Sequence, residues 1–341
     1  MFEKFNITLC LVVCATLTST SGWAEASVSV NGGAAPRLAC TEQLPRVSRM
    51  LPVPDGRLYM ETEGKGQVLI LVPGGPGDDH ISFQPHFSCL ADHHMLVYFD
   101  PIGRGRSGRL ANPSGYTVQR DVEDIEAVRL SLGVKRIDLL GQSYGGIPAL
   151  AYALKYPEHV DHLILSSAMV SAGSFQENID AANFNLKSYF PESWEKVNAL
   201  AAEGVKSGDP RSDSEYGRMA KMMYWHNEKN AALLNRGSRA DKFSGDVYAA
   251  MLGDDPNQHV GGTLKGYDPR PQLSALQAHV LVIGGRYDRV ATPEIVSQTV
   301  EMLPSGSTTL AIFEESGHRP WIEEKERYFP LLQAFLTDSK P

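Results

Sequence analysis

The stretch "LLGQSYGGIPAL" (Leu139–Leu150) decides how the chain is read. It opens as an apolar run, passes through Gly141, Gln142, Ser143, Tyr144 and Gly145, and continues as a helical sequence. A serine between a strand and a helix, with glycine two positions away on either side, is the pattern of a sharp turn that presents a side chain at its tip. Such a turn holds the serine in a sparsely populated backbone conformation and crowds its neighbours, so the flanking positions must be small. Gly141 and Gly145 meet that need, and Gly146 adds room. The helix behind Ser143 favours negative charge developing there. The pattern is short and recurs by chance, so its weight comes from its setting.

That setting alternates apolar runs with helical stretches. "QVLILV" (Gln67–Val72), "MLVYFD" (Met95–Asp100), "RIDLLG" (Arg136–Gly141), "VDHLILSS" (Val160–Ser167), "AHVLVIGG" (Ala278–Gly285) and "STTLAIF" (Ser307–Phe313) read as strands. Near-continuous Val/Ile/Leu runs fit parallel strands buried on both faces. In "TVQRDVEDIEAVRLSLG", Val122, Ile125, Val128 and Leu132 share a helical face that stops at Gly133. "GGIPALAYALKYPEH" reads as a second helix, and "TPEIVSQTVEML" as one opening with Pro293 after Thr292. Strands alternating with helices predict an α/β fold with a doubly wound, mostly parallel sheet. The rhythm breaks between about Ser171 and Asp268, a stretch rich in Asn, Lys, Glu, Tyr and Trp. The expected organisation is a core over 46–170 and 269–341 and a helical cap insertion over 171–268, riding on one edge of the sheet.

Ahead of the core lies a candidate export signal. "FNITLCLVVCATLT" is apolar but too short to span a bilayer, and Ala24–Ala26 offers small residues for cleavage. Residues 1–26 read as a signal peptide and 27–45 as an N-terminal extension, so the expected location is periplasmic or secreted, with no stable membrane insertion after the signal is removed. Cleavage removes Cys10 and Cys14 and leaves Cys40 and Cys89, either as one disulfide or as two thiols. With 341 residues, 42% hydrophobic and 21% charged, the chain has material for a sizeable core. A formal net charge of −8 without a basic run argues against nucleic acid.

A serine hydroxyl needs a general base, and the base needs an orienting carboxylate. "VLVIGGRYDRV" puts Asp288 just past one strand, and "LAIFEESGHRPW" puts His318 just past the next. Both fall where a doubly wound sheet carries its functional loops. In α/β-hydrolases the order along the chain is serine, acid, histidine, as it is here. The ten histidines suggest no metal: His93 and His94 are adjacent and diverge, and His80 and His86 lack a matching carboxylate and cysteine pattern. No cofactor is expected. "PGGPG" (Pro73–Gly77) follows the first of these strands without the Gly-Lys-Ser/Thr or Gly-x-Gly-x-x-Gly of nucleotide sites. Taken alone it reads as a turn.

These motifs together resemble the α/β-hydrolase superfamily from about Arg46 to Leu336, and within it the proline iminopeptidase group of serine peptidases. The resemblance rests on "PGGPG", "FDPIGRGRSG" (Phe99–Gly108), "GQSYGGIPALAYALKYPEHV" (Gly141–Val160), "GGRYD" (Gly284–Asp288) and "SGH" (Ser316–His318). Where the group has His-Gly-Gly-Pro-Gly, Pro73 replaces the histidine. The resemblance implies an oxyanion hole made by the backbone N–H groups of Gly75 and Tyr144. It also implies cap carboxylates that receive the substrate's free amino group, since a buried ammonium needs an anionic partner. Glu228, beside Tyr224 and Trp225, is the candidate, with Trp225 also expected to touch substrate. Glu177 reads instead as part of a capping box in "SFQE" (Ser174–Glu177), and Asp78 and Asp79 as a polar loop entering a helix or as the cleft mouth.

The expected function is an exported serine aminopeptidase that releases N-terminal proline, or another small residue, from short peptides. An esterase or amidase acting on small acyl substrates would use the same residues. A non-catalytic binding protein on this fold would be expected to lack one of Ser143, Asp288 and His318, and all are present. Oligomeric state is not readable from the sequence.

Overall fold

The computed structural model describes residues 44–234 and 243–337. The signal and extension readings, with Cys10, Cys14 and Cys40, lie outside the described residues; Cys89 is disulfide-bonded.

Eight strands form one sheet: β1 (Val47–Val53), β2 (Gly56–Glu63), β3 (Gln67–Val72), β4 (His94–Asp100), β5 (Ile137–Gln142), β6 (Val160–Ser166), β7 (His279–Gly285) and β8 (Thr308–Phe313), in the order β1-β2-β4-β3-β5-β6-β7-β8. Pairing is parallel from β4 through β8 and antiparallel at β1–β2 and β2–β4. The apolar runs become strands because each feeds both faces of the sheet. In β3, Val68, Ile70 and Val72 join one core while Leu69 and Leu71 join the other.

The first core is covered by α1 (Val118–Leu132), α2 (Gly146–Lys155) and, later in the chain, α8 (Pro293–Met302). Thr117 caps α1 through Arg120 N–H, and Gly133 ends it in the left-handed region at φ 70°. Short 3₁₀ segments at His80–Phe83 and His86–Leu90 cover the second core with α9 (Pro320–Glu323) and α10 (Lys325–Thr337).

Between β6 and β7 the chain forms α3 (Ala172–Tyr189), α4 (Pro191–Ala202), α5 (Pro210–Gly217), α6 (Ala220–Tyr224) and α7 (Gly245–Leu252). This helical stretch has its own small core of Leu186, Val197, Tyr216, Met219 and Met223, which also takes in Val290 from the loop after β7. The capping box of α3 is Ser171 with Ser174, one turn earlier than "SFQE" suggests. Ser171 holds the N–H of Ser174 at 3.0 Å, so Glu177 sits inside the helix rather than at its start. Among the described residues no helix is long and apolar enough to cross a membrane.

Candidate active site

β5 is buried throughout and runs directly into a single 3₁₀ turn, Ser143–Gly145, before α2 begins. Ser143 has φ +55°, a conformation that costs a non-glycine residue about 1–3 kcal/mol and persists only where surrounding packing enforces it. The enforcement is visible at the flanking glycines. A Cβ on Gly141 would lie 2.4 Å from the carbonyl oxygen of Gly145, and one on Gly145 would lie 2.3 Å from that of Val72. The turn is thus pressed against the end of β3, where the Pro73–Gly77 loop starts.

Loops after β7 and β8 bring up the next two residues. Asp288 is 2% exposed and His318 1%. Oδ2 of Asp288 accepts the hydrogen bond from Nδ1 of His318 at 2.8 Å. Oδ1 accepts from the N–H groups of Val290 at 2.8 Å and Ala291 at 3.0 Å. Both carboxylate oxygens are therefore aimed, and Nδ1 must carry its proton, which leaves Nε2 as an acceptor. Nε2 meets the side-chain nitrogen of Gln142 at 3.0 Å. The Tyr224 ring stands edge-on to the imidazole at 5.1 Å. The backbone N–H of His318 donates to the carbonyl of Tyr224 at 2.9 Å, and that of Arg289 to the carbonyl of Met223 at 3.2 Å. Glu323 accepts from the N–H of Gly317 at 2.7 Å and of Asn227 at 3.0 Å, and ties the histidine loop to the turn after α6.

Ser143, His318 and Gly75 line one cavity of about 1120 Å³, slightly above the usual ligand-cleft range of about 300–1,000 Å³. Gly75 has φ +110°, and its bond to Pro76 is cis. Tyr144 follows Ser143, but its side chain turns away from the cavity, and its hydroxyl donates to Asp121 Oδ2 at 2.7 Å. Trp225 lines the cavity. Glu228 does not: it opens a 3₁₀ segment (Glu228–Leu233) and is exposed. The reason is the turn at His226 and Asn227, whose N–H groups are drawn to Glu323 and which carries the chain outward before residue 228 is reached.

Other carboxylates do face the cavity: Asp78 and Asp79 from the core, and Asp209, Asp213 and Asp254 from the cap. Asp79 also accepts from Ile81 N–H at 2.9 Å, so it both caps a 3₁₀ segment and borders the cleft. Burial, then the nearby Asp100 carboxylate, raises the Asp79 carboxyl to about 6. Asp79, His80 and Asp100 are grouped closely enough for a cation, but Asp100 Oδ1 already accepts from the His80 ring at 2.6 Å and from the His80 N–H at 3.0 Å. Sequence reasoning missed Gln142 and Glu323; for Asp79 it offered a polar loop entering a helix or the cleft mouth, and Asp79 serves as both. Gln142 was in view inside the motif, but only coordinates show where its amide points.

A family model described as alpha/beta hydrolase fold matches residues 67–325. Among curated proteins, the chain is 28% identical over 287 residues to the Proline iminopeptidase of Clostridium botulinum, covering 82% of this chain and 93% of that one. It is 30% identical over 280 residues to the Proline iminopeptidase of Clostridioides difficile, covering 81% and 91%. A crystal structure of proline iminopeptidase from Mycobacterium smegmatis superposes with a TM-score of 0.68 at 24% identity, over 85% of this chain and 97% of that one.

Proposed function

Since this chain belongs to the alpha/beta hydrolase fold family, in its proline iminopeptidase group, and is a hydrolase, we propose that it is an exported serine aminopeptidase that removes N-terminal proline from short peptides. The observation that carries the reading is Ser143, strained at φ +55°, sharing one cavity with an imidazole whose Nδ1 is held by Asp288 at 2.8 Å.

In this reading Ser143 Oγ attacks the scissile carbonyl while His318 Nε2 takes its proton. Gln142 yields Nε2 as substrate settles; hydrogen bonds of this kind often tighten only in the substrate complex. The tetrahedral oxyanion is met by the N–H groups of Gly75 and Tyr144, each donor being worth about 10²–10³ in rate. The imidazolium returns its proton to the departing amine and leaves an ester on Ser143. Water, deprotonated by the same Nε2, attacks that ester, and the proton passes to Ser143 Oγ as the free amino acid leaves.

The substrate's ammonium lies one carbon from the acyl carbon, so its partner must stand close to Ser143. Asp78 and Asp79 follow Gly75 within the same loop and face the cavity. Asp79 gives this a pH signature. Below about 6 its carboxyl takes up a proton and loses the charge that attracts an amine. The expected result is that kcat/KM for prolyl arylamide, divided by that for a short acyl ester without an amine, falls as pH drops through that value. The division cancels every pH effect on the shared acyl-transfer machinery, which acts on both substrates alike. Asp79→Asn flattens the ratio, and Glu228→Gln leaves it as in the parent. An enzyme that cleaves esters and no aminoacyl arylamide overturns the aminopeptidase reading in favour of an esterase.

Export is supported by the disulfide at Cys89, since such bonds persist in oxidising compartments. With residues 1–26 removed, Cys40 is the one cysteine left to pair with it. Peptide mapping of protein recovered from the periplasm or medium is expected to find a Cys40–Cys89 crosslink and an N-terminus near residue 27. Retention of residues 1–26, or a free Cys89 thiol, contradicts it.

A further inference from the structure

We propose that Arg104 and Asp121 are a positioning pair that locks the two halves of the oxyanion hole to each other. The proposal rests on the assignment of Gly75 and Tyr144 as the oxyanion donors. Those donors come from separate parts of the chain, the loop after β3 and the turn after β5. Their spacing has to be held against thermal motion for both to reach one oxygen.

Arg104 is 1% exposed and lies in the loop after β4. Its Nε donates to the carbonyl of Pro76 at 2.7 Å, immediately after Gly75. Its Nη1 donates to the carbonyl of Ile102 at 3.0 Å and to Asp121 Oδ1 at 2.6 Å, and its Nη2 donates to Asp121 Oδ2 at 2.9 Å. Asp121, on α1 and 1% exposed, accepts on the same Oδ2 the hydroxyl of Tyr144 at 2.7 Å. One guanidinium and one carboxylate thus span from the oxyanion loop to the residue that follows the nucleophile.

A buried ion pair is a poor means of gaining stability, because its desolvation largely cancels its attraction. It is a good means of fixing geometry, because the planar fork of arginine satisfies a carboxylate with two bonds while Nε keeps a third direction. Lysine has no fork and cannot hold Pro76 and both oxygens of Asp121 together. On its far side the loop is met by Ser244, whose N–H donates to the carbonyl of Gly77 at 2.9 Å.

The test compares Arg104→Lys and Tyr144→Phe with the parent in three readings: the rate of labelling by a fluorophosphonate, kcat and KM on whichever acyl substrate the parent turns over, and the thermal midpoint. Labelling needs the hole but no particular substrate, so a parent that labels yet ignores prolyl arylamide refutes the aminopeptidase reading and leaves this comparison intact. Misplacement on the ångström scale costs about a hundredfold, and the expected result for Arg104→Lys is a loss of about 10–100-fold in both labelling and kcat with KM nearly unchanged. Tyr144→Phe keeps the ring and the backbone donor and loses only the hydroxyl, so it reports even if the lysine variant fails to fold. Its expected loss is several-fold and again confined to kcat and labelling. The proposal is overturned if Tyr144→Phe matches the parent in labelling and kcat, or if the losses follow the folded fraction.

Discussion

Replacing Asp288 with asparagine is expected to lower kcat by about 10⁴, the magnitude seen when this substitution reverses an imidazole's tautomer. The reasoning starts from the bonds around the carboxylate. Oδ1 is held by the N–H groups of Val290 and Ala291, and an asparagine oxygen accepts those bonds equally well. That choice forces the new –NH₂ toward His318 Nδ1, which then has to be an acceptor. The ring proton moves to Nε2, and Nε2 can no longer take a proton from Ser143. The loop stays in place while the base is lost. Circular dichroism and the thermal midpoint should therefore stay near parental, with KM little changed. A loss below about tenfold would mean that another carboxylate orients the ring.

The second large effect is expected at Gly75. An alanine Cβ there would lie 2.1 Å from the nitrogen of Gly77 and 2.5 Å from that of Asp78, at a φ of +110° that side chains rarely adopt. Both obstacles are backbone, so neither yields by a rotamer change. The loop has to open, and the Gly75 N–H leaves its direction. Gly75→Ala should cost at least the about 10²–10³ of one oxyanion donor, and it should weaken an aminoacyl boronate by the same factor. The fold should survive, because the loop contributes little to either core. Full activity in the alanine variant would remove Gly75 from the hole.

Much of the fold was legible because its strands are apolar on both faces. The spans for β3 through β8 could be read to within a residue or two of the observed ends. β1 and β2 were not, and the reason is chemical. β2 carries Glu61 and Glu63 at buried positions, where Gln84, Ser88 and Tyr98 supply hydrogen bonds to them. A strand that buries carboxylates shows no apolar run. Around the site, the motif glycines and the order of Ser143, Asp288 and His318 were visible because they are local or follow strand ends. The aromatic neighbours of Glu228 point to it as the amine partner, but the turn after Trp225 sends the next residues outward. Arg104 stands in the sequence only as one residue of "FDPIGRGRSG". Nothing in a linear sequence says that it meets Pro76, Asp121 and, through Asp121, Tyr144.

The carbonyls of Met223 and Tyr224 sit at the end of α6, yet they accept from Arg289 and His318 on the core loops, and Val290 packs into the cap's own core. For anyone recombining such enzymes, this sets where the cut can fall. A graft that exchanges the whole of 171–268 takes away the template on which the acid and histidine loops are moulded. A graft that retains 219–227 with the host and trades α3 to α5 alone leaves that template standing. The seam between inherited chemistry and interchangeable selectivity runs inside the cap, a few residues before Trp225.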